Sequence, residues 1–343
     1  MDCPRVSIVF AARNEAEKLP AALASMLALD YPGYEVIAVD DRSEDATGEI
    51  LDSFAQSHSQ LKVIHITDLP PGWLGKPHAL QRGSEQAAGS WIVFTDADVH
   101  FAPAVLRRVL SLVREQHIDH LSLLARTEMV GFWEHVILTY FALGFWVSVE
   151  PWQTANPRSK HYVGIGAFQM IRREVYDAIG QHRRLAMEVI EDMKLGKLVK
   201  VGGYRSQVAL VQDEVSVRWH AGLSNIVRGT TKNFFAATGF RLGFVILQIF
   251  GLFVMSVLPW IALPWMHGLG RILAAISVAM AVAAHATVAR ELRVSPLYAL
   301  THPVGALIFA WMLLRSTIVT LWQGGIVWRD TFYPLVELRR GCV

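Results

Sequence analysis

Two groups of carboxylates follow apolar runs of the sequence and are the first candidates for chemistry. Asp96 and Asp98, spaced one residue apart, follow "WIVFT". Asp40 and Asp41 follow "YEVIAV". Carboxylate oxygens suit Mg²⁺ or Mn²⁺, which commonly pair one or two carboxylates with substrate phosphates. A polar strand end, where the chain turns into water, is the alternative interpretation.

A lysine lies between these groups in "PGWLGKPHALQRG". Lys76 stands just before Pro77, and proline is favoured at the first position of a helix. A cation beside the free N–H groups of a helix start suits a diphosphate. An ordinary surface lysine is the alternative, and the position of Lys76 between two acidic groups favours the functional interpretation.

Two later segments carry further candidates. Glu191 and Asp192 lie in a helical pattern, where one carboxylate held near a substrate hydroxyl would act as general base. A solvated helix face is the alternative. Arg218 and Trp219 offer a diphosphate clamp and a stacking plane, or equally an anchor at a membrane interface.

The elements that must position these residues alternate between short apolar strands and longer helical patterns. Strands that are apolar on both faces and separated by helices indicate an α/β fold with a doubly wound, mostly parallel sheet. The acidic groups then lie at the carboxyl ends of the strands, where ligands of such sheets bind. No Gly-rich phosphate motif follows a strand, which disfavours a dehydrogenase or a P-loop NTPase. The predicted strands cover 6–12, 34–40, 61–66 and 91–95, and the predicted helices 15–28, 44–57 and 77–88.

The composition changes near Arg241. The chain has 30 acidic and 32 basic residues, but only ten of them follow Leu242. We therefore expect a catalytic domain over residues 1–235 and a membrane domain over 236–343. Two to three transmembrane helices are predicted, at about 243–266, 271–290 and 303–328, because roughly 20 apolar residues cross a bilayer. The tail is net positive and the first part slightly negative, which argues against nucleic-acid binding.

Three smaller features bear on location. Cys3 and Cys342 are the two cysteines, so a disulfide framework is not expected. The apolar run near the N-terminus is too short for a signal peptide, and we expect the first domain to face the cytoplasm.

Residues 135–149 lack Asp, Glu, Lys and Arg, but the stretch is too short to span a membrane, so it predicts a buried or interfacial helix. Arg315 interrupts the last apolar segment, which suggests either a protein or lipid partner for its charge or a re-entrant segment broken there.

The motifs, taken in order, resemble the family 2 glycosyltransferases with a GT-A fold. The matching stretches are "VSIVFAARNEAEKL", "VDDRSEDAT", "GKPHALQRGSEQAAGSWIVFTDADV", "GAFQMIRREVYDAIG" and "EDMKLGKL". The C-terminal apolar segments and "GGIVWRDTFYPL" resemble the branch that glycosylates membrane lipids such as ceramide, hopanoid-associated lipids and carotenoids. One departure is Val215, which stands where processive synthases often carry the Gln of Q-x-x-R-W.

The resemblance implies roles for individual residues. Asp40 or Asp41 would contact the nucleotide base, and Lys76 would lie near the nucleotide. Asp96 and Asp98 would hold the diphosphate through Mg²⁺ or Mn²⁺, with Asp98 nearer the metal. Asp192 would be the catalytic base, beside Glu191. Gly164, Gly166 and Phe168 would border the acceptor pocket.

The expected function is inverting transfer of one sugar from a nucleotide-diphosphate sugar, with a UDP-sugar as the favoured donor, to a membrane lipid hydroxyl. A multi-pass protein of the inner (cytoplasmic) membrane is expected. Four alternatives stay open: a polyprenyl-phosphate sugar transferase, a nucleotidyltransferase, a polysaccharide synthase, and an inactive membrane adaptor.

Overall fold

The computed structural model describes residues 3–343, apart from the side chain of Gln212. The strands are β1 (Val6–Ala12), β2 (Tyr34–Asp41), β3 (Leu61–Ile66), β4 (Trp91–Asp96), β5 (Val99–Phe101), β6 (His120–Thr127), β7 (Gln169–Arg172), β8 (Ser206–Val217), β9 (Gly325–Trp328) and β10 (Thr331–Pro334). The α-helices are α1 (Leu19–Leu27), α2 (Thr47–Ser57), α3 (Gly75–Gln86), α4 (Val105–Glu115), α5 (Phe132–Val149), α6 (Arg173–Ala178), α7 (Glu191–Val201), α8 (Leu223–Thr230), α9 (Asn233–Ala237), α10 (Leu242–Leu252), α11 (Leu258–Ala262), α12 (Gly268–Glu291), α13 (His302–Gln323) and α14 (Leu335–Arg340).

Eight strands form one mixed sheet in the order β3-β2-β1-β4-β7-β6-β8-β5. The first four strands along the chain run parallel, and β7 pairs antiparallel with both β4 and β6. This confirms the α/β class and the mostly parallel sheet predicted from the sequence. Because β1, β2 and β4 are parallel neighbours, their carboxyl ends meet at one edge, as their register shows: Ala12 pairs with Asp40, and Ala11 pairs with Asp96.

Both faces of the parallel half are covered, which explains why its strands are apolar throughout. Leu19, Leu23 and Met26 of α1 pack on one face, in the same core as Ile8 and Phe10. On the other face, α3 lies very close to the sheet. A Cβ at Gly83 would come within 2.5 Å of Val9 Cγ1, so glycine permits this close helix–sheet contact.

The predicted strand bounds are close to those of the structure, but α1 begins at Leu19 instead of 15, α2 at Thr47 instead of 44, and α3 at Gly75 instead of 77. The start of α3 is informative. This helix begins at Gly75, two residues before Pro77. Proline is tolerated throughout a first helical turn, because none of the first four N–H groups has a partner within the helix. Lys76 therefore belongs to the helix itself.

The chain divides into two compact units. One comprises the chain up to Thr127, then Val149–Arg218 and Arg340–Val343. The other comprises Glu128–Ser148 and Trp219–Arg339. The division into domains 1–235 and 236–343 stays a prediction, and these units differ from it by grouping α5, α8 and α9 with the later helices.

Within residues 3–343, four helical segments are long and apolar enough to cross a membrane: Phe132–Gln153, Leu242–Ala262, Gly268–Glu291 and Pro296–Gln323. The first is longer than residues 135–149, which were interpreted as too short to span. It begins at Phe132, before the uncharged stretch, and it reaches Gln153 by including the short 3₁₀ helix Pro151–Gln153 that follows α5. The last ends at Gln323 instead of 328, since Gly324 takes a left-handed φ of 70° that terminates α13. Helix α13 runs unbroken through Arg315, which disfavours the alternative of a re-entrant segment broken there.

Candidate active site

Lys76 is the centre of a charged cluster at the carboxyl edge of the sheet. Its Nζ lies 2.7 Å from Asp96 Oδ1 and 2.7 Å from Glu191 Oε1. Burial would lower the pKa of Lys76, but the charges of Asp96, Glu191 and Asp192 outweigh it and hold that pKa well above its usual value. Lys76 therefore stays protonated and pairs with Glu191, which lies 115 positions later in the sequence.

Asp192 occupies the first turn of α7, where two backbone groups hold its carboxylate. Its Oδ1 accepts a hydrogen bond from the Met193 N–H (2.7 Å), and its Oδ2 accepts one from the Gly166 N–H (3.0 Å). Burial raises the pKa of Asp192 to about 6, the neighbouring charge of Glu191 adds to the increase, and Lys76 opposes it. A fixed carboxylate with such a pKa can accept a proton near neutral pH.

The loop that contains Gly164 and Gly166 fits tightly against both acidic groups. A Cβ at Gly166 would lie 2.9 Å from Asp96 Oδ2 and 3.1 Å from Asp192 Oδ2. A Cβ at Gly164 would overlap the backbone carbonyl of Asp192. Thr95 fixes the same loop by donating a hydrogen bond to the Ala167 carbonyl at 2.7 Å. Only glycine therefore allows the loop to place its backbone between the carboxylates.

Behind Asp192, a buried polar chain supports its backbone. Gln169 Nε2 donates to the Asp192 carbonyl (3.2 Å) and lies 2.7 Å from His120 Nε2. Burial lowers the pKa of His120 to about 3, so this ring is neutral. Its Nε2 then accepts from Gln169, and its Nδ1–H donates to Ser206 Oγ at 2.9 Å. The chain of contacts fixes the start of α7.

Asp98 lies in the turn between β4 and β5, and its Oδ2 accepts a hydrogen bond from Lys18 Nζ at 2.8 Å. Among residues 3–343, no group of three or more His, Cys, Asp and Glu side chains is arranged to hold a metal. Asp96 and Asp98 still fit Mg²⁺ or Mn²⁺, since such ions commonly take one or two carboxylates and complete their shell with phosphate oxygens and water.

Asp40 and Asp41 are both buried and both have partners. Asp40 Oδ2 lies 3.0 Å from His65 Nδ1, and the hydrogen bond to Asp40 raises the pKa of His65. Asp41 accepts two hydrogen bonds from the Arg42 guanidinium, at 2.8 and 3.1 Å. A Cβ at Gly75 would overlap Asp41, which places this carboxylate against the first turn of α3.

The structure does not bring every predicted residue to this cluster. Phe168 is completely buried in the hydrophobic core, where its ring packs against Phe101 at 5.5 Å. Its expected place on the acceptor pocket stays a prediction. Arg218 follows β8 at the end of the first unit. Trp219 belongs to the second unit, where its ring packs against Phe141 at 5.3 Å.

His182 lines the cavity beside Lys76 and Asp192, although no sequence signal pointed to it. Its Nδ1 lies 2.7 Å from the Tyr176 hydroxyl. Burial, with a contribution from the charge of Lys76, lowers the pKa of His182 to about 3, so the ring is neutral. The stretch "GQHRRLAM" resembles any polar loop, and its nearness to the site follows only from the folded chain.

The family model for Glycosyl transferase family 2 matches residues 7–180, which is half of the chain. The chain belongs to this family. The match includes Asp40, Asp41, Asp96 and Asp98, and it confirms the family that the sequence motifs resemble.

Curated relatives include enzymes named for lipid and carotenoid substrates. A 4,4'-diaponeurosporenoate glycosyltransferase of Staphylococcus haemolyticus is 27% identical over 66% of this chain and 60% of its own length. A beta-monoglucosyldiacylglycerol synthase of Synechocystis sp. is 31% identical over 52% of this chain and 36% of its own length. The chain thus spans less than two thirds of the length of either relative.

One solved structure shares the fold over nearly the whole chain. A mannosyltransferase from Pyrobaculum calidifontis, solved in complex with GDP-Man and Mn²⁺, covers 94% of this chain with a TM-score of 0.55. The alignment covers 88% of that structure at 20% identity. This similarity confirms the GT-A fold expected for the family.

Proposed function

We propose that this family 2 member is an inverting glycosyltransferase that moves one sugar from a nucleotide-diphosphate sugar to a membrane lipid hydroxyl. The observation that carries the proposal is the geometry of Asp192. Its carboxylate is fixed by two backbone N–H groups, has a pKa near 6, and faces the loop at Gly166 beside the Lys76 cluster.

In this mechanism Asp192 removes the proton of the acceptor hydroxyl. The acceptor oxygen attacks the anomeric carbon from the side opposite the leaving group, and the bond from that carbon to the diphosphate oxygen breaks. One such displacement inverts the anomeric centre. A general base of this kind typically contributes about 10²–10⁴-fold to the rate.

Lys76 carries the fixed positive charge nearest to the departing diphosphate in this proposal. It is held between Asp96 and Glu191, so its ammonium needs little reorganisation when negative charge develops on the leaving group. Glu191 then positions Lys76 and raises the pKa of Asp192. Asp96 and Asp98 are the residues that would hold Mg²⁺ or Mn²⁺, which would add positive charge at the diphosphate.

On the nucleotide side, we assign Asp40 and Asp41 to the base and ribose, because both lie at the same strand edge as Asp96. Arg218 stays a proposed diphosphate contact, and Trp219 a proposed neighbour of the donor. A UDP-sugar is our proposed donor, and a nucleotide sugar in general is supported by the GDP-Man bound to the P. calidifontis mannosyltransferase.

A lipid acceptor is supported by two independent observations. Relatives are named as a diaponeurosporenoate glycosyltransferase and a monoglucosyldiacylglycerol synthase, and four helical segments of the described part of the chain are long and apolar enough to cross a bilayer. We propose a multi-pass protein of the cytoplasmic membrane whose catalytic unit faces the cytoplasm. Val215, in place of the Gln of Q-x-x-R-W, favours single-sugar transfer over processive synthesis.

The proposal is tested by comparing Asp192→Asn with Asp177→Asn, an exposed acid on α6 that serves as control. Transfer to lipid by Asp192→Asn should fall by about 10²-fold or more while the donor still binds. The control should retain activity. If Asp192→Asn transferred sugar to lipid at the wild-type rate, Asp192 would not be the base. If Asp192→Asn kept full activity only with a polyprenyl phosphate as acceptor, the alternative acceptor would be favoured.

A further inference from the structure

His182 is a buried ring in the wall of the active-site cavity. It begins the short 3₁₀ helix His182–Leu185, and its ring packs edge-on against Phe94 with the centroids 4.6 Å apart. The same cavity is lined by Lys76 and Asp192. Sugar transfer as proposed uses Lys76 and Asp192 but leaves His182 without a role.

A chain of hydrogen bonds fixes the proton of the His182 ring on Nδ1. Ser84 Oγ donates its hydrogen to the Gln81 carbonyl at 2.8 Å, so it accepts from the Tyr176 hydroxyl at 3.1 Å. The single hydroxyl hydrogen of Tyr176 is thereby used. Its oxygen accepts from the His182 backbone N–H at 3.2 Å, and the remaining contact, Nδ1 at 2.7 Å, must also be a donor.

This tautomer leaves Nε2 of His182 as a lone pair. A neutral imidazole has one donor and one acceptor nitrogen. The ring stays neutral, since burial and the charge of Lys76 lower the pKa of His182 to about 3. Within residues 3–343, Nε2 has no hydrogen-bond partner, and unlike Nδ1 of His78 it is not sealed from solvent. His182 therefore offers a fixed acceptor to the cavity.

Other polar groups in the wall are already engaged. The Thr95 hydroxyl and the Gln169 amide each donate to a backbone carbonyl, at 2.7 and 3.2 Å. Glu191 is paired with Lys76 at 2.7 Å. A hydroxyl that enters the cavity thus finds in His182 Nε2 an acceptor that needs no rearrangement of these contacts.

The transferred sugar is the substrate group that must enter this cavity. An acceptor oxygen deprotonated by Asp192 has to lie about 3–3.5 Å from the anomeric carbon. The departing diphosphate lies on the side of Lys76. The sugar ring then lies between the two residues, where its hydroxyl groups face the remaining wall.

We propose that Nε2 of His182 accepts a hydrogen bond from one hydroxyl of the transferred sugar and so contributes to the choice of sugar. The proposal rests on the proposed function and names a contact that selects its substrate. A sugar without that hydroxyl would leave the nitrogen unpaired, which disfavours its binding. Tyr176 and Ser84 are positioning residues that hold the tautomer.

The test uses the different shapes of asparagine and glutamine. In His182→Asn the side-chain amide can replace Nδ1–H as the donor to Tyr176, but no atom replaces Nε2. In His182→Gln the amide oxygen can reach the position of Nε2, while the contact with Tyr176 is lost. A merely structural role predicts more damage in the glutamine variant, and the sugar contact predicts more in the asparagine variant.

Isothermal titration calorimetry would measure donor binding to the full-length protein in detergent with Mn²⁺. The probe is the nucleotide sugar that binds most tightly from a panel of UDP- and GDP-hexoses, together with analogues that each lack one hydroxyl of its sugar ring. We expect wild type to bind one analogue about tenfold more weakly than the parent, and His182→Asn to bind both equally. His182→Gln should restore part of the difference. His117→Asn, at an exposed position of the same unit, is the matched control and should behave as wild type.

An unchanged difference between parent and analogue in His182→Asn would overturn the proposal, as would a larger effect of His182→Gln or an equal effect of His117→Asn. Nitrogen NMR of histidine-labelled wild type should show the proton on Nδ1 of His182, and a proton on Nε2 would also overturn it. Wild type that binds no nucleotide sugar would overturn the proposed function and the sugar contact together. Tight binding of the parent with no loss for any analogue would overturn the sugar contact alone.

Discussion

The pH dependence of sugar transfer follows from the environment of Asp192. Burial and the charge of Glu191 raise the pKa of Asp192 from 3.8 to about 6. A base must be deprotonated to act, so the raised pKa means that activity is present above pH 6 and is lost as the pH falls through that value. With this pKa, about nine tenths of the carboxylate is ionised at pH 7 and about one tenth at pH 5.

We therefore expect kcat/KM to fall about tenfold between pH 8 and pH 5. A carboxyl group with the usual pKa of 3.8 would lose less than about a tenth of its ionised form over the same range. The assay is initial-rate transfer from a radiolabelled nucleotide sugar to detergent-solubilised lipid, in buffers of constant ionic strength. Asp192→Asn should show only residual activity, and that activity should not fall between pH 8 and pH 5. The assignment would be refuted if kcat/KM of the wild type fell only near pH 4, or if Asp192→Asn kept the wild-type pH profile.

Three further predictions address the residues around Asp192. Gly166→Ala places a methyl group against Asp96 and Asp192 and should lower kcat about 10²-fold, whereas Gly144→Ala, which meets open space, should not. Lys76→Gln removes a charge that lowers the pKa of Asp192, so the fall in activity at acidic pH should move to higher pH. An unshifted pH profile would contradict the interaction of Lys76 with Asp192, and Lys160→Gln is the matched surface control. Removal of divalent metal with EDTA should abolish transfer and weaken donor binding, and Mn²⁺ or Mg²⁺ should restore both; full activity of metal-free protein would exclude the proposed role of Asp96 and Asp98 as metal ligands.

Local patterns predicted the parallel half of the fold closely. Strands β1 and β3 have the predicted bounds, because runs of β-branched residues between turn residues specify a buried strand with little ambiguity. The same patterns placed Asp40 and Asp96 at one edge, since parallel neighbours align their carboxyl ends.

Local sequence patterns could not predict contacts between residues that are distant in the chain. The ion pair between Lys76 and Glu191 depends on where α7 packs after more than 100 residues, and nothing local to either residue specifies it. Phe168 shows a second limit of local patterns. Its side chain is completely buried in the core although Gly166, two residues earlier, lies against the carboxylates, and the motif itself does not report that difference.

Helix ends in the second unit were set by backbone geometry that composition does not report. Gly324 ends α13 through its left-handed conformation, and the chain then forms the β9–β10 hairpin. Helix α5 begins at Phe132, before the uncharged stretch 135–149, and Glu134 in its first turn accepts a hydrogen bond from the Val130 N–H at 2.6 Å.

The most direct test of the proposed function is identification of the product. Purified protein in nanodiscs would be incubated with a panel of nucleotide sugars, Mn²⁺ or Mg²⁺ and total membrane lipids, and the lipids analysed by mass spectrometry and by NMR of the anomeric proton. We predict one lipid species that gains the mass of one sugar, with anomeric configuration opposite to that of the donor. A polymer ladder, a sugar attached only to polyprenyl phosphate, or retained configuration would contradict the proposal.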